Sequence, residues 1–155
     1  LDPKATEQIE AIRKQYYPRH LNKHEAHITL FYKLYLRHSG PLKHALAHLE
    51  VKPFEITIDQ VHVMDTGMQL LVSDKTALVQ LKRTLITRLD KWIFRNDRNK
   101  YFPHVTIQHG VTAFKAQQSS HILLTNFTPI KATVIGLKCQ TIINNKVTTT
   151  ETIML

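Results

Sequence analysis

There is a single cysteine, Cys139, so no disulfide can form within the chain and a disulfide-stapled fold is excluded. Cys139 lies in an apolar, strand-like run and reads as a core thiol rather than a nucleophile, and a reducing compartment fits. Glycine is scarce, with four residues, and no low-complexity tract occurs, which argues against long disordered segments. No apolar run approaches the length of a membrane span and no secretory signal is visible. A cytoplasmic protein without membrane contact is therefore expected. The chain opens on Leu1, and a fragment or a processed form is expected, from which a targeting segment could have been removed. Acidic residues are also few: 12 Asp and Glu stand against 21 Lys and Arg, a formal charge of +9. That balance favours polyanionic partners such as nucleic acid, nucleotides or acidic surfaces, and it serves solubility equally well.

What remains is an ordinary globular composition, of a length that suits one domain over 1–155 and, by expectation, a monomer. Asp2-Pro3 marks a helix start, Ile9, Ile12 and Tyr16 follow at helical spacing, and Pro18 ends the helix. A strand is expected over 26–32. After a turn at 37–40, Pro41 opens a second helix with Leu42, Ala45, Leu46 and Leu49 on one face. Phe54, Ile56 and Ile58 alternate with polar residues, Val61 and Val63 continue the strand, and Asp65-Thr66-Gly67 turns it into a return strand at 68–72. Ser73 or Asp74 is expected to cap the longest helix. Its stripe is Leu78, Leu81, Leu85, Leu89 and Trp92, with Lys82, Arg83 and Arg88 mostly off it. A basic loop over 95–101 precedes a strand at 103–108. Thr112 caps a weaker helix running to Leu124, and 130–143 and 147–154 form a hairpin around Asn144-Asn145.

Two short stretches are nearly the same stretch twice: His27-Ile28-Thr29-Leu30 and His104-Val105-Thr106-Ile107. In an extended strand successive side chains point to opposite faces. His and Thr then share one face while the two apolar residues enter the core. Each stretch is followed by a helix and a Phe-led strand, Phe54 or Phe127, which predicts an α+β fold of two pseudo-symmetric lobes of antiparallel sheet with outer helices, flanking a central cleft. Imidazole titrates near neutrality, so one histidine can act as base while its partner acts as acid. Phosphodiester cleavage needs both roles, and the threonine hydroxyls can hold charge on the non-bridging oxygens. This logic requires no metal and no cofactor. Two ordinary half-buried strands would also tolerate His and Thr, and either motif alone says little, but both together at corresponding places in a repeated layout favour the functional reading.

The sequence resembles the 2H phosphoesterase superfamily, and within it the 2'-5' RNA ligase-like and RNA 2',3'-cyclic phosphodiesterase branch. The resemblance covers nearly the whole chain. It rests on Ala26-His27-Ile28-Thr29-Leu30, Phe102-Pro103-His104-Val105-Thr106-Ile107, the first helix, the Phe54 strand, the long helix and the final hairpin. It implies His27 and His104 as catalytic acid and base, in an order left open, and Thr29 and Thr106 as donors to the phosphate. It implies hydrolysis of 2',3'-cyclic phosphates or 2'-5' linkages of RNA or small nucleotides. Ala26 departs from the proline that many members place before the first histidine, whereas Pro103 keeps it. A non-catalytic RNA- or nucleotide-binding module with the same cleft is the alternative, and a metal-dependent hydrolase is a third reading.

Among flanking residues, Phe31 and Tyr101 are the expected base-stacking groups, with Tyr32 and Phe102 assigned to core packing. Arg98 and Lys100, with Arg95, could grip flanking phosphates, and Arg19, His20, Lys23 and His24 form a second basic cluster. The ten histidines do not fall at zinc spacings: His44 and His48 share a helix face without a third ligand. His109 joins the apolar face of its strand only if that strand stays regular.

Overall fold

The Asp2 carboxylate accepts a hydrogen bond from the Ala5 amide at 3.0 Å, and this cap starts helix α1, Pro3–Tyr16. Proline in the first turn costs no hydrogen bond there, and Tyr17, the residue before Pro18, is already extended. The computed structural model describes residues 1–36, 40–47, 49, 51–144 and 146–155. The turn at 37–40 lies mostly outside the described residues, as do His48 and Asn145. The remaining elements are α2 Gly40–Ala47, β1 Phe54–Met64, β2 Gly67–Val72, α3 Thr76–Leu89, β3 His104–His109, α4 Ala113–Asn126, β4 Ile130–Val134, β5 Gly136–Ile143 and β6 Lys146–Met154. Among the described residues no helix is long and apolar enough to cross a membrane.

The fold is α+β, and its strand pairing is antiparallel. One sheet has the order β3-β2-β1-β4 and the other is the β5-β6 hairpin. The first core joins Ala5 and Ile9 of α1 to the inward residues of the four-stranded sheet, among them Ile56, Ile58, Leu70, Val105 and Ile107. The second joins Leu42 and Leu46 of α2 to Leu81, Leu85 and Leu89 of α3, with Leu137 and Ile153 of the hairpin packed against them. The segment after His27 runs along the seam: Ile28 packs on the first core, Leu30 on both, and Phe31 and Leu34 on the second.

Four expectations need correction. The segment 26–32 forms no strand: it joins no ladder and bends at Ala26, Leu30 and Tyr32. The run 130–143 is two strands, because the chain leaves the first sheet after Val134 and enters the second at Gly136. A Cβ on Gly136 would stand 2.7 Å from the Ile153 carbonyl oxygen, so only glycine allows that close crossing. Helix α3 starts later than expected, with Lys75 at its cap position and no side-chain cap bond. Lys82, expected off the apolar stripe, is only 6% exposed. Cys139 is half-buried against the second core, and burial pushes its thiol up.

Two bulges shift the inward parity of the first sheet. In β1 the extra residue is Asp59, so Ile56 and Ile58 point inward before it and Val61 and Val63 turn inward after it. In β3 the irregularity lies between the Thr106–Gln69 and Gln108–Met68 pairs. Val105 and Ile107 are buried, and so is Gln108, which donates to the Tyr16 carbonyl at 3.2 Å and to the Ser119 hydroxyl at 3.1 Å. His109 is left exposed. Gly67 stands opposite, where a Cβ would lie 2.0 Å from the Gln108 carbonyl oxygen.

Asp2 also ties α1 to the sheet, accepting the Thr133 amide at 2.6 Å. Burial pushes its carboxyl up, but the Thr133 and Ala5 amides outweigh burial and hold it below the usual carboxylate range. A depressed carboxyl contributes stability above its unfolded pKa and loses it as pH falls through the folded value. Asp2→Ala is therefore expected to cost about 1 kcal/mol at pH 7 and to flatten the acid decline in stability. Urea unfolding at pH 7 and at pH 3 checks both, and equal losses at the two pH values would contradict the account.

Candidate active site

His104 and Thr106 sit on β3, where ladder bonds to β2 fix their direction: Leu71 pairs with His104 and Gln69 with Thr106. Val105 and Ile107 anchor the opposite face in the core. The first motif has the same alternation of residue types but no such ladder. Charged side chains hold it instead.

Arg13 is 3% exposed and lies between the two motifs. Its guanidinium donates to the Thr106 carbonyl at 2.9 Å and to the His24 carbonyl at 2.5 Å, and also to the Asn22 side chain. Its Nε faces the Glu10 carboxylate at 3.3 Å, and that carboxylate accepts the Ala26 amide. One turn of α1 thus binds the backbone on the approach to His27 and the backbone of Thr106. Beyond the motif, Asp97 takes over. It is 2% exposed, and its carboxylate accepts the Tyr32 amide at 3.0 Å and the Lys33 amide at 3.1 Å. The Tyr35 amide reaches the Trp92 carbonyl at 2.7 Å, and Leu34 bridges Ile93. A surface pair between Lys138 and Glu25, at 2.6 Å, adds a further tie and lowers the Glu25 pKa.

The two imidazoles are anchored alike. His27 Nδ1 lies 2.7 Å from the Glu25 carbonyl oxygen, and His104 Nδ1 lies 2.8 Å from the Phe102 carbonyl oxygen. A carbonyl only accepts, so each Nδ1 carries the proton and donates. In the neutral ring the opposite nitrogen, Nε2, is then left with a lone pair. Both rings line one open cleft of about 490 Å³.

Thr106, His109, Gln69 and Met64 line the same cleft from the sheet, and Arg13, Tyr17, Leu21, Lys23, His24 and Tyr32 line it from the other side. His109 is there because the β3 strand does not stay regular. His24 lies edge-on to His27, with ring centres 6.5 Å apart. Thr29 is half-buried and is not among the lining residues.

The flanking residues are arranged otherwise than the sequence suggests. Tyr32, expected in the core, is 77% exposed and lines the cleft, and Phe102 is 55% exposed. Alternation assigned them wrongly because neither lies in a ladder strand. Phe31 packs on the second core, Tyr101 packs on the first, and neither lines the cleft. The Arg98 guanidinium is engaged by the Asp90 carboxylate at 2.6 Å and by the Asp90 carbonyl. The Lys100 ammonium sits 5.1 Å from the centre of the Phe102 ring. The cations in the cleft are Arg13 and Lys23 instead. Lys23 and His24 belong to a cluster visible in the sequence, whereas nothing local marks Arg13, which reads there as one more basic residue on α1. Among the described residues no three of His, Cys, Asp and Glu converge in a metal-holding group. His44 lies away from the cleft, beside Pro41, Ala45, Arg88 and Trp92.

A family model described as the 2'-5' RNA ligase superfamily matches residues 1–143, a span that holds both motifs and the whole four-stranded sheet. Comparison with curated proteins gives no match.

Replacing Arg13 by Met strands the Glu10 carboxylate and removes the donor from two backbone carbonyls. Arg13→Met is expected to cost about 3 kcal/mol in urea unfolding and to speed hydrogen exchange at the Ala26 amide. A variant as stable as the parent would mean that the first motif is held by other contacts.

Proposed function

The chain belongs to the 2'-5' RNA ligase superfamily, a family of phosphoesterase and ligase-like enzymes, and from that premise we propose that it hydrolyses a phosphodiester at an RNA end or in a small nucleotide. The bond is a 2',3'-cyclic phosphate or a 2'-5' linkage. His27 and His104 serve as the acid–base pair. One takes a proton from the attacking water, and the other protonates the departing ribose oxygen. Thr106 donates its hydroxyl to a non-bridging phosphate oxygen. Thr29 has the matching role on the other side, its half-buried hydroxyl turning to the phosphate as the segment settles on substrate.

The observation that carries this reading is the matched anchoring of the two imidazoles, each with Nδ1 on the carbonyl of the residue two before it and both rings in one cleft. Matched anchors leave two equivalent Nε2 atoms for one substrate. The cycle needs one ring protonated and one neutral, so the roles exchange for the reverse step. Ligation is therefore open to the same groups, but water at its bulk concentration favours hydrolysis. The basic excess of the chain, +9, suits a polyanionic substrate.

The test is product analysis near pH 7 with EDTA present, using an RNA ending in a 2',3'-cyclic phosphate and a 2'-5'-linked oligoadenylate. Turnover of one of them is expected, with a bell-shaped pH profile, and a loss of about 10³-fold or more in His104→Ala. Binding without turnover would favour the nucleotide-binding module. Loss of activity on chelation would favour a metal-dependent hydrolase.

A further inference from the structure

Lys82 is the buried charge that the chemistry above does not use. It projects from α3 and is 6% exposed. Its ammonium stands 4.4 Å from the centre of the Tyr101 ring and 5.2 Å from the centre of the Phe31 ring. Phe31 lies just beyond Thr29 in the first motif, and Tyr101 lies just before His104 in the second. A single cation therefore touches a ring from each motif segment. Asp97, whose carboxylate holds the Tyr32 amide next to Phe31, is the nearby countercharge.

Asp97 gives the fold one reason for a cation here, although the Tyr32 and Lys33 amides already bind its carboxylate. Burial lowers the Lys82 pKa and Asp97 only partly restores it, so the charged form is less favourable in place than in water. An apolar chain of similar length would fill the volume without desolvating an ammonium, but would leave the Asp97 carboxylate without its countercharge. Among the described residues the buried Tyr101 hydroxyl has no hydrogen-bond partner, which marks a second unfavourable group at the same spot. Buried charges retained against stability cluster at working sites. The attraction of an ammonium to a ring face is directional, and it strengthens as water is excluded.

We propose that Lys82 is a positioning residue, whose ammonium, held between the Phe31 and Tyr101 rings, sets the spacing between the two motif segments and so between His27 and His104. This rests on the two-histidine reading. It also accounts for why the two rings that the sequence offered for base stacking are not in the cleft: they are engaged by Lys82. Stacking on a base passes to the exposed Tyr32.

Three measurements on Lys82→Met and Lys82→Arg test the proposal: thermal unfolding, kcat and KM on the substrate turned over, and nitrogen-correlated NMR signals of the two imidazoles. Lys82→Met is expected to unfold at a lower temperature, because it leaves the buried Asp97 carboxylate without its countercharge, and to stay folded at the assay temperature. Its kcat should fall roughly 10- to 100-fold with KM changed less than about threefold, and the His27 and His104 signals should move. Lys82→Arg should restore kcat and signals, since a guanidinium also binds ring faces. Tyr101→Leu should reproduce the Lys82→Met loss, and Tyr101→Phe should not. The proposal is overturned if Lys82→Met keeps parental kcat and imidazole signals, or if Lys82→Arg fails to restore them. Absence of turnover in the parent would overturn the hydrolase reading, while the imidazole signals would still decide the role of Lys82.

Discussion

The site depends on how Arg13 is bonded. An edge strand such as β3 offers unpaired backbone on one side, and the usual way to use it is to add another strand. Here the first motif comes close to β3 without pairing to it. A buried guanidinium, with its donors in a fixed planar fork, joins the Thr106 carbonyl of one motif to the His24 carbonyl before the other. Glu10 balances the charge and takes the Ala26 amide, and Asp97 binds the chain again at Tyr32 and Lys33. The segment that carries His27 is thus fixed at both ends by side chains and is free of ladder bonds between them. Between those ties Ile28, Leu30 and Phe31 pack on the two cores, and Tyr32 is left exposed at the cleft.

The composition of the cleft follows from backbone irregularity as much as from the motifs. A regular β3 would place His109 on the same face as Val105 and Ile107. The bulge buries Gln108 instead and leaves His109 beside His104 and Thr106. Gly67 makes this feasible, because any larger residue would meet the Gln108 carbonyl. With Arg13, Lys23 and His24 also lining it, the cleft gathers basic groups around the two imidazoles. That is the electrostatic setting a phosphate needs.

The second motif was legible in the sequence because local pattern and tertiary structure agree there: alternation of His-Val-Thr-Ile matches a real ladder strand with a buried apolar face. The hairpin turn at Asp65-Thr66-Gly67, the Asp2 and Thr112 caps and the leucine stripe of α3 were legible for the same reason. The first motif has the same letters, and its strand was expected on that ground. Its real partners, Arg13 and Asp97, are distant in the chain, and no periodicity reports them. Tyr32 and Phe102 leave the core for the same reason, since neither lies in a ladder strand that would direct its side chain. Lys82 falls beside the leucine stripe on a helical wheel, and the rings that face its ammonium, Phe31 and Tyr101, come from two remote segments. Arg98 and Lys100 read as free cations because their partners, Asp90 and the Phe102 ring, are matters of local loop geometry.

The proposed function rests on one claim, that His27 and His104 work at the same phosphate. A nucleoside–vanadate complex, whose five-coordinate centre has the shape of the phosphoryl transition state, addresses it directly. Titrating it into the protein while following the imidazole nitrogens of both histidines gives one curve for each. The account predicts that both sets of signals shift along the same saturation curve, complete at one equivalent. Movement of one histidine alone, or two curves with different midpoints, would contradict it.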